Sequence, residues 1–174
     1  MFTRASHHTM NDTLIHDELL RLLLDLDGVQ QSRRHHPEGD ALYHSLQVFQ
    51  LAQKATADRE LWAAALLHDV GKAIDGPSHD RIGAEELDGL VSPRVTWLVA
   101  HHLDLLKHPR RARRRLPQPQ LSDLEALRRW DLGGRDPHAR VLSPHDAVGA
   151  LFGGPLCFLA DAGDVAGEYD GVHQ

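Results

Sequence analysis

Apolar positions along this chain repeat at helical spacing and almost nowhere alternate as strands do. Between Asn11 and Asp27, Leu19, Leu22, Leu23 and Leu26 share one face. Asn11, Asp12 and Thr13 precede them as cap-type residues, and Gly28 stops the run. The polar stretch QQSRRHHPEGD reads as a loop. Ala41 to Ala57 carries Leu42, Leu46, Phe49 and Ala52 along one side, with Val48 and Leu51 beside them. Asp58 is placed to cap a helix predicted to run to Val70 and end at Gly71, and IDGPS after it reads as a turn. Further helices are predicted over 79–90, 93–107 and 121–131. Ser143-Pro144 starts another that reaches about residue 152. The stretch 109–120, with Pro109, Pro117 and Pro119, is expected to be a loop. The fold class is therefore all-α: a single-domain helical bundle, with an N-terminal helix and loop over 1–34, a core over 35–131 and a C-terminal extension over 132–174 packed on it.

Composition narrows the picture. A chain of 174 residues can bury one proper core, and 41% hydrophobic with 25% charged residues excludes wholesale disorder. No apolar run approaches the roughly 20 residues of a membrane helix, and MFTRASHHTMNDT lacks a signal-peptide core, so a cytoplasmic location and no membrane partner are expected. The single cysteine, Cys157, excludes an internal disulfide and a cysteine-based zinc site, and is expected to be a core residue. The net charge of −6 argues against nucleic acid as a partner. PRRARRR, residues 109–115, reverses the sign locally with five arginines, as a solvated face or an anion site.

The unusual number is fourteen histidines. In ALLHDVGK, residues 65–72, an apolar helix ends in His68 and Asp69, and buried polar groups need partners. Other polar residues embedded in apolar helices are His44, His79, His101, His102 and Asp131. Each taken alone reads as readily as a satisfied core or cap residue. Together, imidazoles and carboxylates without thiolates suit iron, manganese, nickel or zinc. A carboxylate such as Asp69 can bridge two cations, and two metals about 3.5–4 Å apart can activate a water and clamp the entering and leaving oxygens.

The ordered series His44, His68-Asp69, Asp131 resembles the H…HD…D pattern of the HD superfamily of metal-dependent phosphohydrolases, and LLHDVGK is similar to its most characteristic segment. The resemblance covers roughly residues 35–131. It implies an HD-domain bundle of five or more helices and a first metal held by His44, His68, Asp69 and Asp131. Asp69 would bridge to a second metal held by His79 and His101, with His102 replacing or joining His101. The cofactor implied is one or two divalent transition-metal ions, with Fe, Mn, Ni and Zn not distinguished. His79 follows Asp69 by only ten residues, a short connection for two-metal members. Asp40, one turn before His44, supplies a further ligand in some members and reads here as a helix cap. HHPEGDALYHSL also resembles the start of the HD domain in bacterial CCA-adding tRNA nucleotidyltransferases. No upstream segment is long enough for a nucleotidyltransferase part, so a free-standing protein is expected. The GYP-like triplet of HD-type cyclic-dinucleotide phosphodiesterases is absent from HHLDLLKHPRR.

The function expected is hydrolysis of a small phosphate ester or nucleotide by a metal-activated water. Asp69 and Lys72 are the catalytic candidates. Lys72, Arg110 and Arg111 are candidates for binding the small-molecule phosphate substrate, with Arg33 and Arg34 as further phosphate contacts; Lys72 alternatively is a surface lysine at a helix end. His36 and Glu38 are expected to be solvated in their loop, or else to orient a ligand or the water. Two alternatives stand beside the hydrolase: an HD-type di-iron oxygenase cleaving a C–C or C–P bond, and a non-catalytic nucleotide-binding HD module.

Overall fold

The computed structural model describes the backbone from Arg4 to Gly153 and side chains from Asn11 onward. Among these residues there are nine α-helices and no strand; a lone bridge between Gln30 and Asp40 is the one β-type pairing. The helices are α1 (Arg4–Leu24), α2 (Ala41–Ala55), α3 (Arg59–Leu67), α4 (His79–Leu87), α5 (Pro93–His101), α6 (Asp104–Lys107), α7 (Pro109–Arg115), α8 (Gln118–Gly133) and α9 (Pro144–Phe152). A short 3-10 turn, Val70–Ala73, lies between α3 and α4. Cys157 and the rest of the tail fall outside the described residues.

The bundle is built around α3. Ala63, Ala64, Ala65, Leu66 and Leu67 are all fully buried, and the run of alanines lets α2, α5 and α8 pack closely on it. α2 packs on both α3 and α8, while α1 and α9 pair on one side and α4 and α5 on another. Leu19, Leu22, Leu23 and Leu26 are buried as their spacing requires, each worth about 1.5–3 kcal/mol of transfer free energy. Two of the predicted caps form: Asp58 accepts from the amides of Glu60 and Leu61, and Ser143 from that of Asp146, contributions of about 1 kcal/mol each.

Three elements differ from expectation. α1 begins at Arg4, so Asn11, Asp12 and Thr13 lie within the helix and do not cap it, the helix having extended through residues whose side chains only permit a start there. The helix predicted over 93–107 breaks after His101, and α6 begins only at Asp104. The expected loop 109–120 is largely helical. Pro109 opens α7 and Pro119 lies in the first turn of α8, positions where the missing amide costs nothing because those amides have no intrahelical partner.

One ion network ties together the helices that frame the interior. The Arg94 guanidinium on α5 meets Asp58 Oδ2 (2.8 Å) and Glu60 Oε2 (2.8 Å) at the start of α3 and Asp123 Oδ2 (2.9 Å) on α8. Ser92 Oγ adds a hydrogen bond to Glu60 Oε1. Beyond α8 the chain runs back along α2, held by Gln47, whose amide group donates to Asp136 O (2.9 Å) and accepts from Asp136 N (3.0 Å), and by Tyr43 Oη donating to Ala139 O (2.7 Å).

Candidate metal centre

Five separate pieces of chain bring their polar groups to one buried place. α2 carries His44 in its first turn. α3 ends into His68, and Asp69 directs the chain into the 3-10 turn. His79 is the first residue of α4, His102 follows the last residue of α5, and Asp131 lies near the end of α8. His44, His68, Asp69, His79 and His102 are all buried.

Three of the imidazoles are oriented in the same way. His68, His79 and His102 each place Nδ1 on the carbonyl three residues earlier: Ala65 at 2.9 Å, Gly76 at 2.6 Å and Val99 at 2.7 Å. A carbonyl only accepts, so Nδ1 carries the hydrogen and Nε2 is left to face the interior. Asp69 divides its oxygens between two groups. Oδ1 lies 3.2 Å from His79 Nε2 and 3.7 Å from His102 Nε2. Oδ2 lies 3.4 Å from His68 Nε2, 3.9 Å from His44 Nε2 and 2.6 Å from Lys72 Nζ. Asp131 Oδ1 reaches His44 Nε2 at 3.0 Å.

The short connection between Asp69 and His79 has a steric basis. A Cβ on Gly71 would collide with the His79 carbonyl oxygen and stand 2.7 Å from Gly83 N and 2.9 Å from His79 C. Only a residue without a side chain lets the 3-10 turn lie against the start of α4, which brings His79 back over Asp69.

The charges follow from this packing. Burial opposes ionisation of Asp69, but the His68 and His79 imidazoles and the Lys72 ammonium hold its carboxyl well below the usual range. Burial likewise works against the His44 imidazolium, yet hydrogen bonds to Asp131 and Glu38 and the Asp69 charge raise it to about 9. Asp131 is held low in turn by His44, against its own burial. Burial and the neighbouring His68 push His102 down to about 4, so that ring is neutral at physiological pH. The hydrogen bond to Asp69 and that carboxylate's charge raise His79 despite its burial.

These groups fit a cation. His68 Nε2 is buried and, although 3.4 Å from Asp69 Oδ2, has no hydrogen bond of acceptable geometry. Asp69, His44 and His68 present donor atoms within ligating reach of one another, as do Asp69, His79 and His102. The donor set is imidazole and carboxylate, suited to borderline transition metals.

Of the paired histidines, it is His102 that joins the cluster. His101 lies partly exposed on the other side of the helix end, stacked on Trp97 at 4.4 Å between ring centres and bonded through Nδ1 to Asp104 (2.8 Å). The break after His101 decides this, because the two side chains point in different directions from the end of α5. Asp40 is the cap it was expected to be, accepting from Tyr43 N (2.9 Å) and Gly28 N (2.8 Å). Lys72 is half-buried on Asp69 and also donates to Gln31 Oε1 (2.5 Å). Arg110 and Arg111 are exposed on α7, and Arg33 and Arg34 are exposed in the loop after α1. Beside the cluster stands a cation that sequence reading missed: Arg135, whose Nη2 is 3.7 Å from Asp131 Oδ1 and whose Nη1 donates to His35 O (2.8 Å). Its position four residues after Asp131 was the available signal. Glu38, expected to be solvated, has a fully buried side chain against His44.

Similarity to known proteins agrees with this geometry. The chain is 43% identical over 77 residues to the multifunctional CCA protein of Halorhodospira halophila, covering 38% of this chain and 19% of that protein. Against the multifunctional CCA protein of Methylococcus capsulatus it is 43% identical over 72 residues, covering 37% and 17%. Against that of Nitrosococcus oceani it is 46% identical over 55 residues, covering 32% and 13%. The matched part is thus less than a fifth of each relative's length. The HD domain family model matches residues 41–148, a span that holds every member of the cluster from His44 to Asp131 and more than half of the chain, and the chain belongs to the HD domain family, a superfamily of metal-dependent phosphohydrolases.

Proposed function

We propose that this chain hydrolyses a small phosphate ester or nucleotide in a metal-dependent reaction. The observation that carries the reading is Asp69, a buried carboxylate with one oxygen among His44, His68 and Lys72 and the other between His79 and His102. His44, His68, Asp69 and Asp131 would hold one ion, and Asp69, His79 and His102 a second. A bound divalent cation supplies a hydroxide at neutral pH, by lowering the pKa of water to about 7, and offsets phosphate charge.

The chain's own groups do the rest. His68, His79 and His102 keep their Nε2 lone pairs directed inward through their backbone-bonded Nδ1 hydrogens. Lys72 neutralises Asp69 in the structure, and its ammonium is the group at this carboxylate that would bind a phosphate oxygen. Arg135, beside Asp131, is a second group of the right charge for the same task. The relatives' other activities are not carried over, because the matched segment is a small part of each.

The test is metal analysis of chelator-free protein followed by a screen with p-nitrophenyl phosphate, bis-p-nitrophenyl phosphate and nucleotides. Metal-dependent phosphate release that Asp69→Ala abolishes supports the proposal. Two irons per chain with oxygen consumption and no phosphate release would replace it with the oxygenase reading.

A further inference from the structure

Glu38 lies behind His44, on the side away from Asp69. Its Oε1 is 2.8 Å from His44 Nδ1 and 2.8 Å from His36 Nδ1, and its side chain is fully buried. The same His44 Nδ1 is 2.9 Å from the Gly134 carbonyl. That carbonyl can only accept, so Nδ1 bears a hydrogen, and the group formed by His36, Glu38 and His44 is a set of donors around a carboxylate rather than a third cation site. Gly134 comes so near because it has no side chain: a Cβ there would stand 2.6 Å from Val48 Cγ2 and 3.1 Å from Val48 N. The loop that carries Glu38 is itself closed by Gln31 N on Gly39 O (2.8 Å) and Ala41 N on Val29 O (3.0 Å). A buried carboxylate is costly unless strong donors meet it; the His36 Nδ1–H bonds to Oε1 and the His44 imidazole stands beside it, while Oε2 is buried with no hydrogen-bond partner among the described residues.

We infer that Glu38 is a positioning residue of the metal centre: its carboxylate oxygen Oε1, 2.8 Å from the His44 Nδ1 whose hydrogen the Gly134 carbonyl accepts, holds the ring by its charge and so presents His44 Nε2 to the cation, while His36 holds the carboxylate from the outside. The inference rests on the metal-dependent reading above. A carboxylate behind a ligating histidine fixes the ring and its tautomer, and removing such a partner typically weakens metal binding by about 10–100-fold.

The experiment is titration of the whole chain with Mn2+, read by the electron paramagnetic resonance of the free ion, for wild type, Glu38→Met, Glu38→Ala and Glu38→Gln. Glu38→Met keeps the volume and lacks the acceptor, so it carries the test if Glu38→Ala disturbs the loop. Glu38→Gln keeps an acceptor oxygen. The expected result is affinity about 10–100-fold weaker in Met and Ala, recovered for the most part in Gln, with unchanged helical circular dichroism. In the Zn2+-loaded protein the His44 Nδ1 proton, bonded to the Gly134 carbonyl, should be visible by NMR throughout, close to its wild-type shift in Gln and displaced from it in Met and Ala. Wild-type affinity in Met and Ala, or a loss in Gln as large as theirs, overturns the role of Glu38 and leaves the metal site standing. A wild type that binds neither ion overturns both.

Discussion

His79 and His102 face each other across Asp69 Oδ1 with their Nε2 atoms 3.2 Å apart, each ring committed through Nδ1 to a backbone carbonyl. Two neutral rings so fixed would confront lone pair with lone pair. A proton on His79 or a cation between them removes the conflict, and Asp69 favours the proton by raising the pKa of His79 beside a neutral His102.

The paired histidines therefore separate cleanly by mutation. His102→Ala is expected to lower the metal content by one ion per chain, with the fold retained. His101→Ala removes only the stacking on Trp97 and the bond to Asp104, and should leave metal content unchanged. Elemental analysis of the two variants decides between the neighbours, and loss of metal in His101→Ala would be inconsistent with the geometry.

Gly71→Ala should push α4 away from the 3-10 turn. The added Cβ meets backbone atoms of His79 and Gly83 that cannot rotate aside, so the cost is expected at about 1–3 kcal/mol in urea unfolding. Binding of the ion at His79 and His102 should weaken more than binding at His44. Gly76→Ala is the control: a Cβ there has no neighbour within 4 Å, and stability should stay within about 0.5 kcal/mol of wild type.

The His44 imidazole sets a pH dependence. Its pKa is raised in the fold from an ordinary 6.5 to about 9. The folded metal-free chain therefore binds this proton more tightly than the unfolded chain. The resulting stability, on the order of 3 kcal/mol, is complete below about pH 6.5 and is lost as pH rises through 9. Unfolding measured across that window without metal should show the decline, and His44→Ala should flatten it. Metal uptake runs the other way. The ion must displace this proton, so apparent affinity should climb with pH up to about 9, by about tenfold per unit for each proton released.

Arg94→Met removes the guanidinium that meets Asp58, Glu60 and Asp123, leaving three half-buried carboxylates without their cation. A loss of about 1–3 kcal/mol is expected in thermal or urea unfolding. Because Arg94 touches the ends of α3, α5 and α8 remote from the histidines, metal stoichiometry in the folded variant should be unchanged.

Much of this protein was legible in the chain itself. Leu19, Leu22, Leu23 and Leu26 fixed a helix face by spacing alone, and Asp58 and Ser143 announced their helices, because capping and amphipathicity are local matters. His44, His68-Asp69 and Asp131 were recognisable as a set because polar groups at the ends of apolar helices stand out in sequence. Glu38 was not. It sits among arginines, histidines and glycine, where local polarity predicts solvation, and only the closure of its loop onto α2 buries it. Arg135 was missed for the same reason.

The sequence by itself determined the all-α class, the helices apart from α7 and the break between α5 and α6, and the kind of donor atoms available, since periodicity, caps and ligand chemistry depend on residues close together or on side-chain type. Tertiary structure alone decided which donors meet. The choice of His102 over His101 follows from where α5 breaks, the approach of His79 from the absence of a side chain at Gly71, and the burial of Glu38 from its contact with His44. Each is set by excluded volume between segments far apart in the chain, a quantity that no local pattern records.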